Sequence, residues 1–194
     1  MIKRSSSRLI KLTMSDNLPS PASIFSHVMH PNQIVELHLF RCDRKLAVNL
    51  PNLKHLVLTH SLDSLNSSSL SRNIRSIQIT LYHQCLHFAN LDWTVLTKLS
   101  SLPLLNSLRV LLYDMHIPPN EQTRHILANT TSMVSDFSFC FGRRYYPGIY
   151  DVQLVYEKHA LFIDQLRRDI FAVPRNEKAY VFVEEDGCGM TIWF

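Results

Sequence analysis

The 194-residue sequence predicts an α/β fold, an irregular solenoid with a parallel sheet on its concave side and helices and loops on its convex side. Three observations predict it. First, two segments share one phrase, LPNLKHLVL at 50–58 and LPLLNSLRV at 102–110. Second, the frame apolar-x-x-apolar-x-apolar that they contain recurs six times along the chain. Third, fourteen of the eighteen residues at the third, fifth and seventh positions of those segments are polar, while all eighteen frame positions are apolar. That alternation turns the leucine side of a strand inward and the other side to water.

In chain order the frames are Leu9-Leu12-Met14, Ile34-Leu37-Leu39, Leu53-Leu56-Leu58, Ile74-Ile77-Ile79, Leu105-Leu108-Val110 and Val134-Phe137-Phe139. Their starts lie 25, 19, 21, 31 and 29 residues apart, so the array is irregular. Residues 20–30 (SPASIFSHVMH) predict a helix, with Ser20 as N-cap and Pro21 in the first turn. Residues 92–100 predict another, capped by Asp92, with Trp93, Leu96 and Leu99 inward. Residues 119–129 predict a third, capped by Asn120. The intervals 43–52 and 62–73 are too short or too serine-rich for more than a turn. Residues 151–171 predict a helix with Val155, Phe162, Leu166 and Ile170 on one side, stopped by Pro174. AYVFVEEDGCGMTIWF then predicts two strands joined by a turn, with Gly187 and Gly189 supplying positive backbone angles. Residues 1–148 thus form the repeat array and 149–194 an end cap, since an open stack exposes its core at each end.

The phrases LIKLTMSDN at 9–17 and IVELHLFRC at 34–42 resemble the leucine-rich repeat family, whose pattern is LxxLxLxx(N/C)xL. The fold expected from the resemblance is an irregular leucine-rich-repeat solenoid. The ninth position of that pattern turns inward, where Asn17 or Cys42 would bond turn backbone. The later copies hold Ser61, Tyr82, Tyr113 and Gly142 there. LDWTVLTKLSSLPLLNSLRVLLYDM and VEEDGCGMTIWF are similar to parts of F-box-type leucine-rich-repeat proteins. In that family an F-box docks on a ubiquitin-ligase scaffold and the repeats hold the substrate. Only eight residues precede the first frame, so the resemblance implies the substrate-holding half, with further protein expected upstream.

The function expected is therefore a non-enzymatic protein-binding module using its concave face. The candidate contact residues are Glu36, His38, Phe40, His55, Val57, Gln78, Arg109, Leu111 and Asp136. Phe40, Val57 and Leu111 are apolar at positions expected to be wet, and aromatic or aliphatic anchors beside Arg make binding hot spots. The alternatives are a nucleic-acid surface using Arg143-Arg144 and Arg167-Arg168, and a fragment without independent function.

Composition narrows the rest. Twenty Lys and Arg against sixteen Asp and Glu give a net charge of +4, too mild to demand a polyanion. Four glycines are far below the usual share of about 7%, against a glycine-rich phosphate loop. Cys42, Cys85, Cys140 and Cys188 form no CxxC pair and read as free thiols. His83, Cys85 and His87 alternate like metal ligands, but no second cluster supplies the fourth ligand, so no metal is expected. Cys188 has no neighbouring His to activate it, so no nucleophile is assigned. No catalytic residue and no cofactor is expected. No apolar run is long enough to cross a membrane, and the chain is expected to be a monomer of the cytoplasm or nucleus.

Overall fold

A computed structural model of the protein describes residues 10–15, 31–40, 50–60, 62, 65, 70–82, 92–142, 152–173 and 178–194. The segments 20–30, His83-Cys85-His87 and Arg143-Arg144 lie outside the described residues. Each frame begins or precedes a strand: β1 (Ile10–Ser15), β2 (Ile34–Phe40), β3 (His55–Thr59), β4 (Ser76–Tyr82), β5 (Ser107–Tyr113) and β6 (Asp136–Gly142). All six lie parallel, each beside the next in sequence. The helix α1 (Glu121–Thr131) joins β5 to β6, and α2 (Val152–Phe171) follows β6. The hairpin of β7 (Tyr180–Val183) and β8 (Gly189–Trp193) closes the order, with β8 antiparallel to β6. The result is an α/β fold with an open, mostly parallel sheet of eight strands in the order β1-β2-β3-β4-β5-β6-β8-β7.

The frame sets the register. Leu37, Leu56, Ile77, Leu108 and Phe137 stand abreast, and so do Leu39, Leu58, Ile79, Val110 and Phe139. All ten are at most 2% exposed. The turns repeat as well. The first frame residue donates to the carbonyl three residues earlier in four successive copies: Leu53 to Leu50, Ile74 to Ser71, Leu105 to Leu102 and Val134 to Thr131. The residue just after it then receives the next copy: Lys54 donates to the Val35 carbonyl, Arg75 to Lys54, Asn106 to Arg75 and Ser135 to Asn106. Backbone groups that would be orphaned at each turn are paired with the neighbouring unit, and the units therefore stabilise one another.

The interval 92–100 is helical, but as a 3-10 helix over Trp93–Ser101. Its sequence explains the tighter winding. Thr97, Ser100 and Ser101 donate their hydroxyls to the carbonyls of Thr94, Thr97 and Lys98, three residues back. Asp92 caps it by accepting from the Thr94 amide at 3.0 Å. Asn120 caps α1 by accepting from the Thr123 amide at 2.9 Å.

Val155, Phe162, Leu166 and Ile170 of α2 are buried, as the helical spacing predicts, and His159 is buried with them. The inner residues of both α-helices and of the 3-10 helix share one apolar core with the leucine side of the sheet. Phe139 and Phe141 on β6 pack on Phe162 with ring centres 5.5 and 5.6 Å away. Half-buried Arg124 ties α1 to α2, donating to Asp169 at 2.6 Å and Gln165 at 2.7 Å. One sheet face is thus covered by helices, and the other carries the polar strand positions.

Gly187 holds the hairpin turn at φ 69°, as expected. Gly189 does not share that conformation. It lies in β8, where a Cβ would come within 2.5 Å of the Glu184 carboxylate, so its glycine serves close approach and not a turn.

Candidate functional site

The strand register arranges the outward residues in rows across the open face. One row runs Lys11, Glu36, His55, Ser76, Ser107, Asp136, Trp193 and Tyr180. The next runs Thr13, His38, Val57, Gln78, Arg109, Ser138, Thr191 and Phe182. A third holds Phe40, Thr59, Thr80, Leu111, Cys140 and Gly189. Eight of the nine candidate contacts lie at least partly open on this face. Leu111 is the correction. It stands on the predicted face but is only 8% exposed. Its row neighbours Thr80, itself 6% exposed, and Cys140 close around it. Leu111 is therefore packing and not an exposed anchor. Phe40 remains 40% exposed.

Short polar links stitch the first two rows. His38 Nε2 donates to Glu36 Oε1 at 2.6 Å, and Lys11 Nζ reaches the same oxygen at 3.0 Å. The His38 bond first, and the Lys11 bond next, hold the Glu36 carboxyl below its ordinary value against a smaller opposing cost of desolvation. Ser107 donates to Asp136 at 3.1 Å, His55 Nδ1 and Ser76 Oγ lie 2.7 Å apart, and Ser138 and Thr191 share a bond at 2.8 Å. These links hold side chains in fixed positions across strands, which lowers the entropy cost of presenting them to a partner.

The residues missed in the sequence lie one step further along the strands. Tyr82 and Tyr113 do not turn inward as the repeat pattern implies. Strands β4 and β5 extend far enough that these two residues continue the alternation Gln78-Thr80-Tyr82 and Arg109-Leu111-Tyr113. Their rings stack on each other at 4.9 Å and 15°. His60 stacks on Tyr82 at 4.8 Å, and Phe40 meets His60 edge-on at 5.0 Å. His60 reaches the row from a left-handed backbone, φ 74°, and its amide still donates to the Thr80 carbonyl at 2.9 Å. The ladder ends over Gly142, where a Cβ would lie 2.1 Å from the Tyr113 ring. Extending the period-two pattern by one residue would have found both tyrosines. Nothing in the sequence pattern marks His60.

Two of the four thiols, Cys140 and Cys188, lie among the described residues. Cys140 donates to Glu184 Oε2 at 3.6 Å. Burial, then the charge of Glu184, push its pKa up to about 12, with Arg109 opposing only weakly. A thiol protonated at neutral pH is a poor nucleophile and a poor metal ligand. Cys188 is 1% exposed in the turn before β8. Among the described residues, no group of three or more His, Cys, Asp or Glu side chains is placed to hold a metal ion. Among the same residues, no helix is long and apolar enough to cross a membrane. Arg167 and Arg168 both turn to one carboxylate, that of Asp164, at 3.0 and 2.5 Å.

His159 lies behind the sheet, stacked on Phe141 at 4.0 Å and 7°, with Nε2 donating to the Met115 carbonyl at 2.7 Å. Burial pulls its pKa below the ordinary 6.5, although the Met115 bond opposes this. The folded state thus takes up this proton less readily than the unfolded chain. The contribution of neutral His159 is complete above pH 6.5 and is lost as pH falls from there through its lower folded value. Melting temperature should drop as pH falls below 6.5, and His159→Gln should flatten that drop while keeping the bond to Met115. Equal slopes for both proteins would show that His159 is not the group responsible.

No family model matches the chain, and neither a curated protein nor a solved structure matches it.

Proposed function

We propose that the protein is a non-enzymatic binding module, an irregular leucine-rich-repeat solenoid that holds a protein partner on the open face of its sheet. The observation that carries this reading is the continuous outward surface of parallel strands, on which exposed Phe40 and Arg109 stand among fixed polar side chains. Aromatic and Arg anchors within a polar surround fit protein recognition. The repeated turn bonds support the solenoid reading, and α2 with the β7–β8 hairpin serves as its end cap. The similarity to F-box-type proteins extends the proposal to substrate recognition for a ubiquitin ligase, in the cytoplasm or nucleus. The shared use of Asp164 by Arg167 and Arg168 favours a protein partner over a phosphate backbone, because those guanidiniums are already engaged.

The test is affinity capture from a native extract with the immobilised chain. Phe40→Ala combined with Arg109→Ala should lose the captured partner, while Ile117→Ala, an exposed change off the open face, should retain it. Recovery unchanged by the first pair would remove the open face as the binding surface.

A further inference from the structure

The two edges of the sheet are built differently. At one edge, β1 carries exposed Lys11 and a break in register between Ile10 and Lys11, features that keep another strand from adding on. At the other, β7 reads YVFV, with no charge, no proline and unbroken register to β8. Among the described residues no strand lies beyond it. The Glu184 amide donates to the Gly189 carbonyl at 2.9 Å. Bonding direction alternates along an antiparallel ladder, so Tyr180 and Phe182 also face β8. The amides and carbonyls of Val181 and Val183 therefore point to the edge.

What lies beneath that edge gives it a preference. Tyr180 and Phe182 stand on the open face, so Val181 and Val183 turn their side chains to the covered face. There the end of α2 and β7 flank a groove lined by Phe171, Ala172 and Val181, with Arg167 and Arg168 at its rim. A Cβ on Gly187 would lie 3.2 Å from the Ala160 side chain, so the hairpin tip sits over the middle of α2 and β7 runs back along that helix. Two residues of strand cover about 7 Å and one helical turn about 5–6 Å. Passing from Val181 to Val183 therefore leads from Phe171 and Ala172 towards Arg167 and Arg168. Both arginines bond Asp164, at 3.0 and 2.5 Å, which fixes them and leaves the rim one positive charge in excess. That excess suits a single carboxylate and is too little for a phosphate backbone. The hairpin's own acids are turned elsewhere. Glu184 lies over Gly189 and accepts from Cys140, Asp186 accepts from the Cys188 amide, and Glu185 is exposed in the turn past β7.

From this we infer that the β7 edge docks an extended segment of a protein partner that carries an acidic residue two places before an apolar one. The segment adds to β7 as an antiparallel strand. Its apolar side chain, opposite Val181, enters the groove against Phe171 and Ala172. Its carboxylate, opposite Val183, meets the Arg167 and Arg168 rim. Antiparallel pairing sets the order, acid first. Main-chain bonds supply the affinity, and the groove and rim supply the selection. The site lies across the sheet from Phe40 and Arg109 and stands or falls independently of the open face.

The test is a fluorescence-anisotropy titration of the full chain against a labelled, end-capped peptide, TTETVTT. The few paired residues imply a Kd between about 10 μM and about 1 mM. TTKTVTT, with the charge reversed, and TTVTETT, with the order reversed, should each bind at least about threefold more weakly. Added salt should narrow the gap between the Glu and Lys peptides. Arg168→Glu changes a side chain that is 73% exposed and should invert the preference, so that TTKTVTT exceeds TTETVTT. Val181→Pro removes an outward amide and should weaken TTETVTT at least about tenfold. Circular dichroism of that variant should match wild type, because the lost amide faces away from β8. No binding of TTETVTT at about 2 mM would overturn the proposal. So would equal affinity for TTETVTT and either control, or a preference unmoved by Arg168→Glu. A mass of two chains in sedimentation velocity without peptide, lost in Val181→Pro, would give the edge to a second copy and overturn it too.

Discussion

Replacing Phe139 with Ala should lower the free energy of unfolding by about 3–5 kcal/mol, the cost of emptying a well-packed aromatic site. Phe139 is fully buried on β6. Its ring sits 5.3 Å from Phe141 and 5.5 Å from Phe162, so it joins the sheet to α2. Removing it leaves Phe162 with less to pack on, and α2 is long and rigid enough that the void cannot simply collapse. Denaturant unfolding should show a lower midpoint with an unchanged slope. A loss below about 1 kcal/mol would mean that α2 settles into the space, and that the contact is less fixed than the ring geometry indicates.

Gly142→Ala should cost about 1–3 kcal/mol, although it adds one methyl group at the end of a strand. The added carbon would fall 2.1 Å from the Tyr113 ring. Tyr113 cannot simply retreat, because Tyr82 lies 4.9 Å behind it, His60 lies 4.8 Å behind Tyr82, and Phe40 closes on His60. The strain must pass along the whole ladder or into the backbone of β6. Tyr113→Ala should itself be destabilising through lost stacking, at about 0.5–1.5 kcal/mol beyond its buried area. The double variant should nevertheless be no less stable than Tyr113→Ala alone. A thermal-melting cycle of these proteins measures that coupling, and strictly additive losses would refute the contact.

The parallel sheet was legible because the frame repeats with its alternation intact. Leu37, Leu56, Ile77, Leu108 and Phe137 stand abreast as equivalent frame positions should. The caps Asp92 and Asn120 were legible too, since each precedes its helix with a side chain that can bond a free amide. Tyr82 and Tyr113 were left unplaced because the repeat pattern has no role for tyrosine at its ninth position, whereas the period of two puts both on the open face. Leu111 was misread because alternation says which face a residue occupies but not what its neighbours cover. Gly189 was misread for a similar reason. A glycine needed for a close approach has no local signature, and Glu184 is five residues away before the turn. The winding of Trp93–Ser101 depended on hydroxyl bonds three residues back, which a helical spacing of apolar residues does not encode.

The placement of β8 between β6 and β7 has a consequence for how the molecule comes into being. From β1 to β6 each strand can dock as it leaves the ribosome, on a neighbour already made. At β7 that order breaks: β7 is synthesised first yet its seat depends on β8, the later of the two. A nascent chain that has reached only Val183 holds a finished β7 with nowhere to lie, while Phe137 and Phe139 still wait for Ile192 and Met190 alongside. Vectorial growth thus ends in a single concerted closure, and a stop codon placed just after β7 should be far more damaging than its few missing residues suggest.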